Sequence, residues 1–256
     1  MTTAAYETRD RRALRRLACD VLGVTEEQRR DMYERGRPEL QQAWAIARDQ
    51  EALLGQYAED WYAVLCVECF ADYARAYAMR FAEWWGANGS DGPILDVGGG
   101  IGAAARLVED ETGSRCVLHA IDEGAQTKIA RRVVRELFVC PDPVEAINAV
   151  SPRAVMAFDV LEHVREPLPL LRAITASPAE AFCCANSYVE DFGHWRTYLV
   201  DGVGVPRNAM GRWFGKTMRS LGWRSETTGF WNNRPAIWTR AYRQEEIWDG
   251  GRTNQG

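Results

Sequence analysis

One stretch of this chain constrains it more than any other: Ile94-Leu95-Asp96-Val97, then Gly98-Gly99-Gly100-Ile101-Gly102. A short apolar strand ends on an acidic residue, a glycine turn follows, and an alanine-rich helical segment opens at Ala103. Further on, a second apolar run over residues 116–121 ends in Asp122. Glycines 98, 100 and 102 carry no Cβ, so backbone can approach a ligand closely, and the helix behind them presents the positive end of its dipole. A glycine turn alone is a weak sign. Set after a strand, before a helix and with an acid at this offset, it describes a pocket for a nucleoside-containing cofactor.

The rest of the C-terminal part repeats the alternation. Strands are expected at residues 94–97, 116–121, 137–140, 154–158 and 181–185, with helices at 101–110, 127–136, 143–150, 167–176 and 209–221. Residues 225–230 and 236–242 read as two last strands paired as a hairpin. Strands alternating with helices give an α/β fold: a doubly wound, seven-stranded, mostly parallel sheet covered on both faces. Ligands of such sheets sit beyond the C-terminal ends of the strands, which directs attention to Asp96, Asp122, Asp142, Asp159 and the stretch after Ala185.

Residues 1–88 read differently, as an N-terminal helical extension, with the second domain spanning 89–248. Thr25 ahead of Glu26, Glu27 and Gln28 is a capping-box start. Gly36 to Pro38 reads as a break, and apolar residues then recur at three- and four-residue intervals. Residues 61–85 carry Trp61, Leu65, Phe70, Tyr73, Tyr77, Phe81 and Trp84, a face that must be covered by the cofactor domain or a second subunit. The extension is therefore expected to act as a lid or as a homodimer surface.

Composition narrows the partners. The net charge is −5, which weighs against a broad nucleic-acid surface. The basic clusters at Arg9–Arg16 and Lys128–Arg135 read as solvated faces. No apolar run approaches the roughly 20 residues that cross a bilayer. The first ten residues lack a signal-peptide core, so the seven cysteines are expected to be free thiols in a cytoplasmic protein. Cys66 and Cys69 form a C-x2-C pair inside a helical pattern with no second pair, so no metal site is expected.

Leu95-Asp96-Val97-Gly98-Gly99-Gly100-Ile101-Gly102 resembles the first motif of class I S-adenosylmethionine-dependent methyltransferases, and Ala157-Phe158-Asp159-Val160-Leu161-Glu162-His163-Val164 resembles the segment ending their fourth strand, especially in small-molecule members. The similarity runs over residues 93–242. It implies a Rossmann-like domain binding S-adenosyl-L-methionine, with Asp96 by the methionyl end and Gly98, Gly100 and Gly102 facing the cofactor. It further implies Asp122 on the ribose and Phe158, Asp159 and Val160 along the methionyl side. The third strand is short and poorly patterned, and Asp142 is the candidate there for the acid that contacts adenine. An aspartate ending the first strand also favours a sulfonium cofactor over a dinucleotide, whose phosphates it would repel.

Methyl transfer needs an in-line acceptor, exclusion of water and sometimes a base, for which histidine is suited near neutral pH. His119, inside the second strand, reads as a packed or hydrogen-bonded residue. His163 follows the fourth strand and could face the cofactor or cap the next helix. His194 lies in the polar loop 186–195 with Asp191 and Trp195, over the mouth of the pocket. His194, His163 and Asp191 are the catalytic candidates, and Trp231 in the turn 229–234 is a further wall of the pocket. The expected reaction is methylation of an oxygen or nitrogen of a small-molecule acceptor. Acceptors among RNA and protein are weighed down by the absence of an N-P-P-Y or Pro-Cys motif, and a non-catalytic scaffold by the intact glycine turn.

Overall fold

The computed structural model describes residues 11–46, 55, 57–188, 194–227, 229 and 234–241. The chain begins with α1 (Arg11–Leu22) and α2 (Glu26–Ile46), followed by α3 (Asp60–Cys69), a π-helical turn (Phe70–Ala74) and α4 (Arg75–Asn88). The start of α2 is the expected capping box: Gln28 N–H donates to Thr25 Oγ1 at 3.2 Å and Thr25 N–H to Gln28 Oε1 at 2.8 Å. The break expected at Gly36–Pro38 does not occur, and α2 runs through both residues. A Cβ on Gly36 would fall 2.4 Å from the Trp61 ring, so this glycine lets α2 and α3 close on each other. That packing holds the helix across Pro38, which in isolation costs roughly 3 kcal/mol.

The α/β part comprises β1 (Ile94–Val97), α5 (Ala103–Thr112), β2 (Cys116–Ala120), α6 (Ala125–Val133), β3 (Leu137–Val139), α7 (Pro143–Val150), β4 (Ala154–Phe158), α8 (Pro167–Ala176) and β5 (Ala181–Ala185). A two-stranded hairpin of β6 (Thr197–Val200) and β7 (Val203–Pro206) comes next, and α9 (Arg207–Ser220), β8 (Trp223–Glu226) and β9 (Ala236–Arg240) complete the described chain. The main sheet has seven strands in the order β3-β2-β1-β4-β5-β9-β8. β1 to β5 are parallel, and β9 runs antiparallel to both β5 and β8.

Alternation along each strand divides the core. Ile94, Cys116, Ala154, Met156, Ala181 and Cys183 face α5, α6 and the N-terminal helices. Leu95, Val97, Val117, Val155, Ala157, Phe182 and Cys184 face α7, α8 and α9. The aromatic stretch 61–85 is covered by this chain's own cofactor domain: Val67, Phe70, Phe81 and Trp85 pack with Ile101, Ala104, Val108 and Ile129. The extension is fastened by an ionic knot, in which buried Glu68 accepts from Arg11, Arg15 and buried Arg29. Burial alone would raise the Glu68 carboxyl. The guanidinia of Arg15, Arg11 and Arg29 overcome that and hold it at about 2.

All seven cysteines are free thiols. Among the described residues no helix is long and apolar enough to cross a membrane, and no group of three His, Cys, Asp or Glu side chains is placed to hold a metal ion.

Candidate active site

In the strand order, the connection from β1 goes one way, to β2 and β3, and the connection leading into β4 and β5 goes the other. The carboxyl ends of β1 and β4 are therefore the switch point of the sheet, where a crevice for a ligand opens. The glycine turn stands there. Gly98, Gly100 and Gly102 take φ of 61°, 57° and 75°, a region that penalises any side chain. Gly98 is exposed, and a Cβ on it would lie 3.3 Å from a Val160 methyl. Val160 thus backs directly onto the exposed Gly98 backbone at the mouth of this crevice. Gly102 serves the packing behind the turn instead. It precedes α5, and a Cβ there would fall 2.5 Å from Val134 and 3.0 Å from Leu118.

Asp96 lies under this turn. It is 1% exposed, and neither carboxylate oxygen has a hydrogen-bond partner among the described residues. Burial pushes its carboxyl up to about 7, and the Ala105 amide, short of a hydrogen bond, opposes the rise. A Cβ on Gly99 would stand 2.1 Å from Asp96 Oδ2, so the turn rests directly on the carboxyl group. This geometry favours a role for Asp96 in organising the turn.

His119 is hydrogen-bonded as expected, and it also shapes the turn. Its Nδ1 accepts from Gly98 N–H at 3.3 Å while Nε2 lies 2.9 Å from the Cys140 carbonyl. An acceptor at Nδ1 and a donor at Nε2 make this the neutral Nε2–H tautomer. Burial lowers its basicity, which keeps it in that form. Asp122, just past β2, uses Oδ1 to accept from Gly124 N–H at 2.7 Å. Its Oδ2 makes no hydrogen bond among the described residues. Asp142 caps α7, its Oδ1 accepting from Val144 N–H at 2.9 Å.

The N-terminal helices reach this cleft. Gln126 donates from Nε2 to the Tyr57 carbonyl at 2.9 Å, and Cys66 Sγ donates to Gln126 Oε1 at 3.2 Å. Both Gln126 Oε1 and Cys66 Sγ lie against Gly100. Sequence reasoning missed Tyr57, Cys66 and Gln126 here, because nothing local in a helical stretch says which turn will meet a glycine far away in the chain.

Beyond β4, Asp159 takes φ of 53°, a strained backbone for a residue with a side chain and of the kind found at binding sites. The π-helical turn carries Tyr73 to it. Tyr73 hydrogen-bonds Asp159 and Cys69, and burial together with the Asp159 charge pushes the phenol up. Phe158 packs near Tyr77, with ring centroids 5.9 Å apart. His163 and His194 come together edge to face, 5.2 Å between centroids, and Tyr57 lies 6.4 Å from His163. Trp195 fixes this pair's support: its Nε1 donates to the His163 carbonyl at 3.1 Å, and Arg165 lies over its ring. Asp191 and Trp231 lie outside the described residues. The structure also holds a cavity of about 250 Å³ lined by Asp91, Gly92, Pro93 and Thr112 to Arg115, but it opens at the N-terminal ends of β1 and β2, away from these groups.

No protein-family model matches the chain, and no curated protein matches it by sequence. Solved structures do match. Human N-acetylserotonin methyltransferase, solved in complex with S-adenosylmethionine, aligns over 84% of this chain and 65% of its own, at 15% identity and a TM-score of 0.51. An O-methyltransferase family protein from Burkholderia thailandensis aligns over 84% and 70%, at 13% identity and a TM-score of 0.52. The chain spans less than two thirds of the human protein's length, and 41% of that of a further match, EvdMO1. Strand order, glycine turn and these two likenesses agree: this chain has the fold of the class I S-adenosylmethionine-dependent methyltransferases.

Proposed function

We propose that the protein transfers a methyl group from S-adenosyl-L-methionine to an oxygen or nitrogen of a small-molecule acceptor. The observation that carries this reading is the exposed glycine turn at the switch point of the sheet, with Val160 beside Gly98. It is flanked by the Asp122 carboxylate on one side and the His163–His194 pair on the other. The residues present fit the cofactor. Gly98 leaves a cradle that a Cβ would fill, and the turn brings no like charge to a carboxylate end, since Asp96 is held beneath it. Asp122 Oδ2 would accept from ribose hydroxyls, and Phe158 to Val160 would line the methionyl side. Asp142, committed to capping α7, would contact adenine only by its remaining oxygen.

Bound there, the cofactor supplies a methyl group already activated as an electrophile. The protein's share is to exclude water, orient the acceptor and take its proton. His163 and His194, which meet edge to face just past β4, would take that proton from an acceptor hydroxyl or amine, with Asp191 as a further candidate. The N-terminal helices, through Tyr57 and Cys66, form the cover of the site. The aromatic stretch is buried within the chain, so a homodimer through the N-terminal helices would use their remaining outer faces, and light scattering would measure it.

Calorimetric titration with S-adenosylmethionine and S-adenosylhomocysteine tests the reading. Both should bind, and binding of neither overturns it. With labelled cofactor, His194→Ala or His163→Ala should lower turnover by about 10²- to 10⁴-fold while leaving S-adenosylhomocysteine affinity unchanged.

A further inference from the structure

A group of buried polar atoms lies beside the cleft with no use in the fold. Glu162, just past β4, is fully enclosed. Its Oε1 accepts from Ser187 N–H at 2.6 Å, and its backbone carbonyl accepts from Tyr198 OH at 2.9 Å. Its Oε2 has no partner among the described residues. The same holds for Asn186 Oδ1, Ser187 Oγ, Tyr188 OH, Tyr57 OH and Arg234 Nε. Ser187 and Tyr188 are 8% and 9% exposed. The Glu162 charge acts on the phenols of Tyr57 and Tyr188, and Asp159 and Arg234 act on Glu162, so these groups lie within electrostatic reach of one carboxyl group. Native proteins leave few buried polar atoms unpaired, and a concentration of them in one place needs an explanation. These stand past the ends of β4 and β5, next to the His163–His194 pair.

We propose that the atoms around Glu162 form the acceptor-recognition site and that it takes a hydroxyl-bearing acceptor. The proposal rests on the methyl-transfer reading above and names the acceptor class for it. The mixture of polarity selects the ligand. Asn186 Oδ1 only accepts, Arg234 Nε only donates, and the serine and tyrosine hydroxyls do either. A hydroxyl group donates and accepts at once, so an acceptor carrying hydroxyls can pair with both kinds. An ammonium only donates and would leave the Arg234 N–H unpaired beside a like charge. A carboxylate only accepts and would leave the Asn186 oxygen unpaired. Burial, aided by the Asp159 charge, pushes the Glu162 carboxyl up to about 8, which suits a neutral ligand further.

Two measurements on the full chain test this. A hydroxyl kept for a ligand contributes nothing to the free protein, so Tyr188→Phe and Ser187→Ala should leave Tm within about 1 °C of wild type or raise it. A fall of more than about 2 °C in both would mean that these hydroxyls serve the fold through buried water, and overturns the proposal. In the second measurement, protein saturated with S-adenosylhomocysteine is heated with about 10 mM methyl α-D-glucopyranoside, catechol, benzylamine or benzoate. One of the two hydroxyl probes should raise Tm, and Glu162→Gln and Asn186→Leu should abolish that rise without changing S-adenosylhomocysteine affinity. No rise from either hydroxyl probe, or a rise from benzylamine or benzoate alone, overturns the assigned class. A loss of cofactor affinity in Tyr188→Phe and Ser187→Ala overturns the assignment to the acceptor. If wild type itself fails to bind S-adenosylhomocysteine, the methyl-transfer reading is what has failed.

Discussion

Replacing Asp96 by asparagine removes a carboxyl group that is buried, unpartnered and pressed against the backbone of the glycine turn. Its folded-state pKa is raised from the ordinary 3.8 to about 7. Between about pH 4 and pH 7 the folded protein therefore holds a proton that the unfolded chain has released, and stability falls as pH rises. The contribution is fully present below 3.8 and gone above about 7. At 1.36 kcal/mol per tenfold change in proton affinity, the whole span is about 4 kcal/mol. Asparagine keeps nearly the same shape and does not titrate. The assay is urea unfolding of wild type and Asp96→Asn at a series of pH values from about 4 to 8. The difference between the two proteins cancels other titrating groups, Glu162 among them. Asp96→Asn should gain on wild type by about 1.4 kcal/mol for each pH step through this window and then level off. A difference that does not vary with pH would falsify the claim that Asp96 is dry and unpaired beneath the turn.

The remaining predictions concern the groups that hold the site's surroundings. Glu68→Gln leaves Arg11, Arg15 and buried Arg29 without their shared carboxylate and should cost about 3–5 kcal/mol in chemical unfolding. Because the Glu68 carboxyl is held down at about 2, its stabilisation in wild type should be lost as pH falls from 4.5 through 2, and the variant should lack that loss. His119→Ala takes its partner from the exposed Gly98 N–H and orphans the carbonyl of buried Cys140, a loss of about 1–3 kcal/mol for the buried group. It should raise KM for the cofactor more than it lowers kcat, and a fall in kcat with KM unchanged would argue against its hold on the turn. Gly98→Ala, at φ of 61° and against Val160, should fold with a loss of about 1–2 kcal/mol and lose cofactor affinity in calorimetry.

Local chemistry made much of this protein legible from its sequence. The residues around Gly98 to Gly102 can form little but a strand-turn-helix, because positive φ at three glycines and the apolar run before them act within a few residues. The capping box at Thr25 and the helix start at Pro143 follow from side chains that reach only their own turn. The alternation of strands and helices then leaves few ways to build a sheet. One local signal went unread: Asp201-Gly202, at φ of 48° and 78°, is the two-residue turn that closes the β6–β7 hairpin.

What only the tertiary structure decided are the meetings across long stretches of chain. Gly36 read as a break because glycine lowers helix propensity locally, but the Trp61 ring that needs its missing Cβ belongs to another helix. Tyr57 meets His163, Cys66 meets Gly100, and Tyr73 meets Asp159 by a π turn that no periodicity announces. The enclosure of Glu162 arises the same way, from the ends of β4 and β5 and from Tyr198, residues far apart in the chain. Sequence thus determined where a cofactor turn must lie, because its conformation depends on the residues themselves. The tertiary structure decided what surrounds that turn, because burial and unpaired hydrogen bonds are properties of the neighbours that folding brings together.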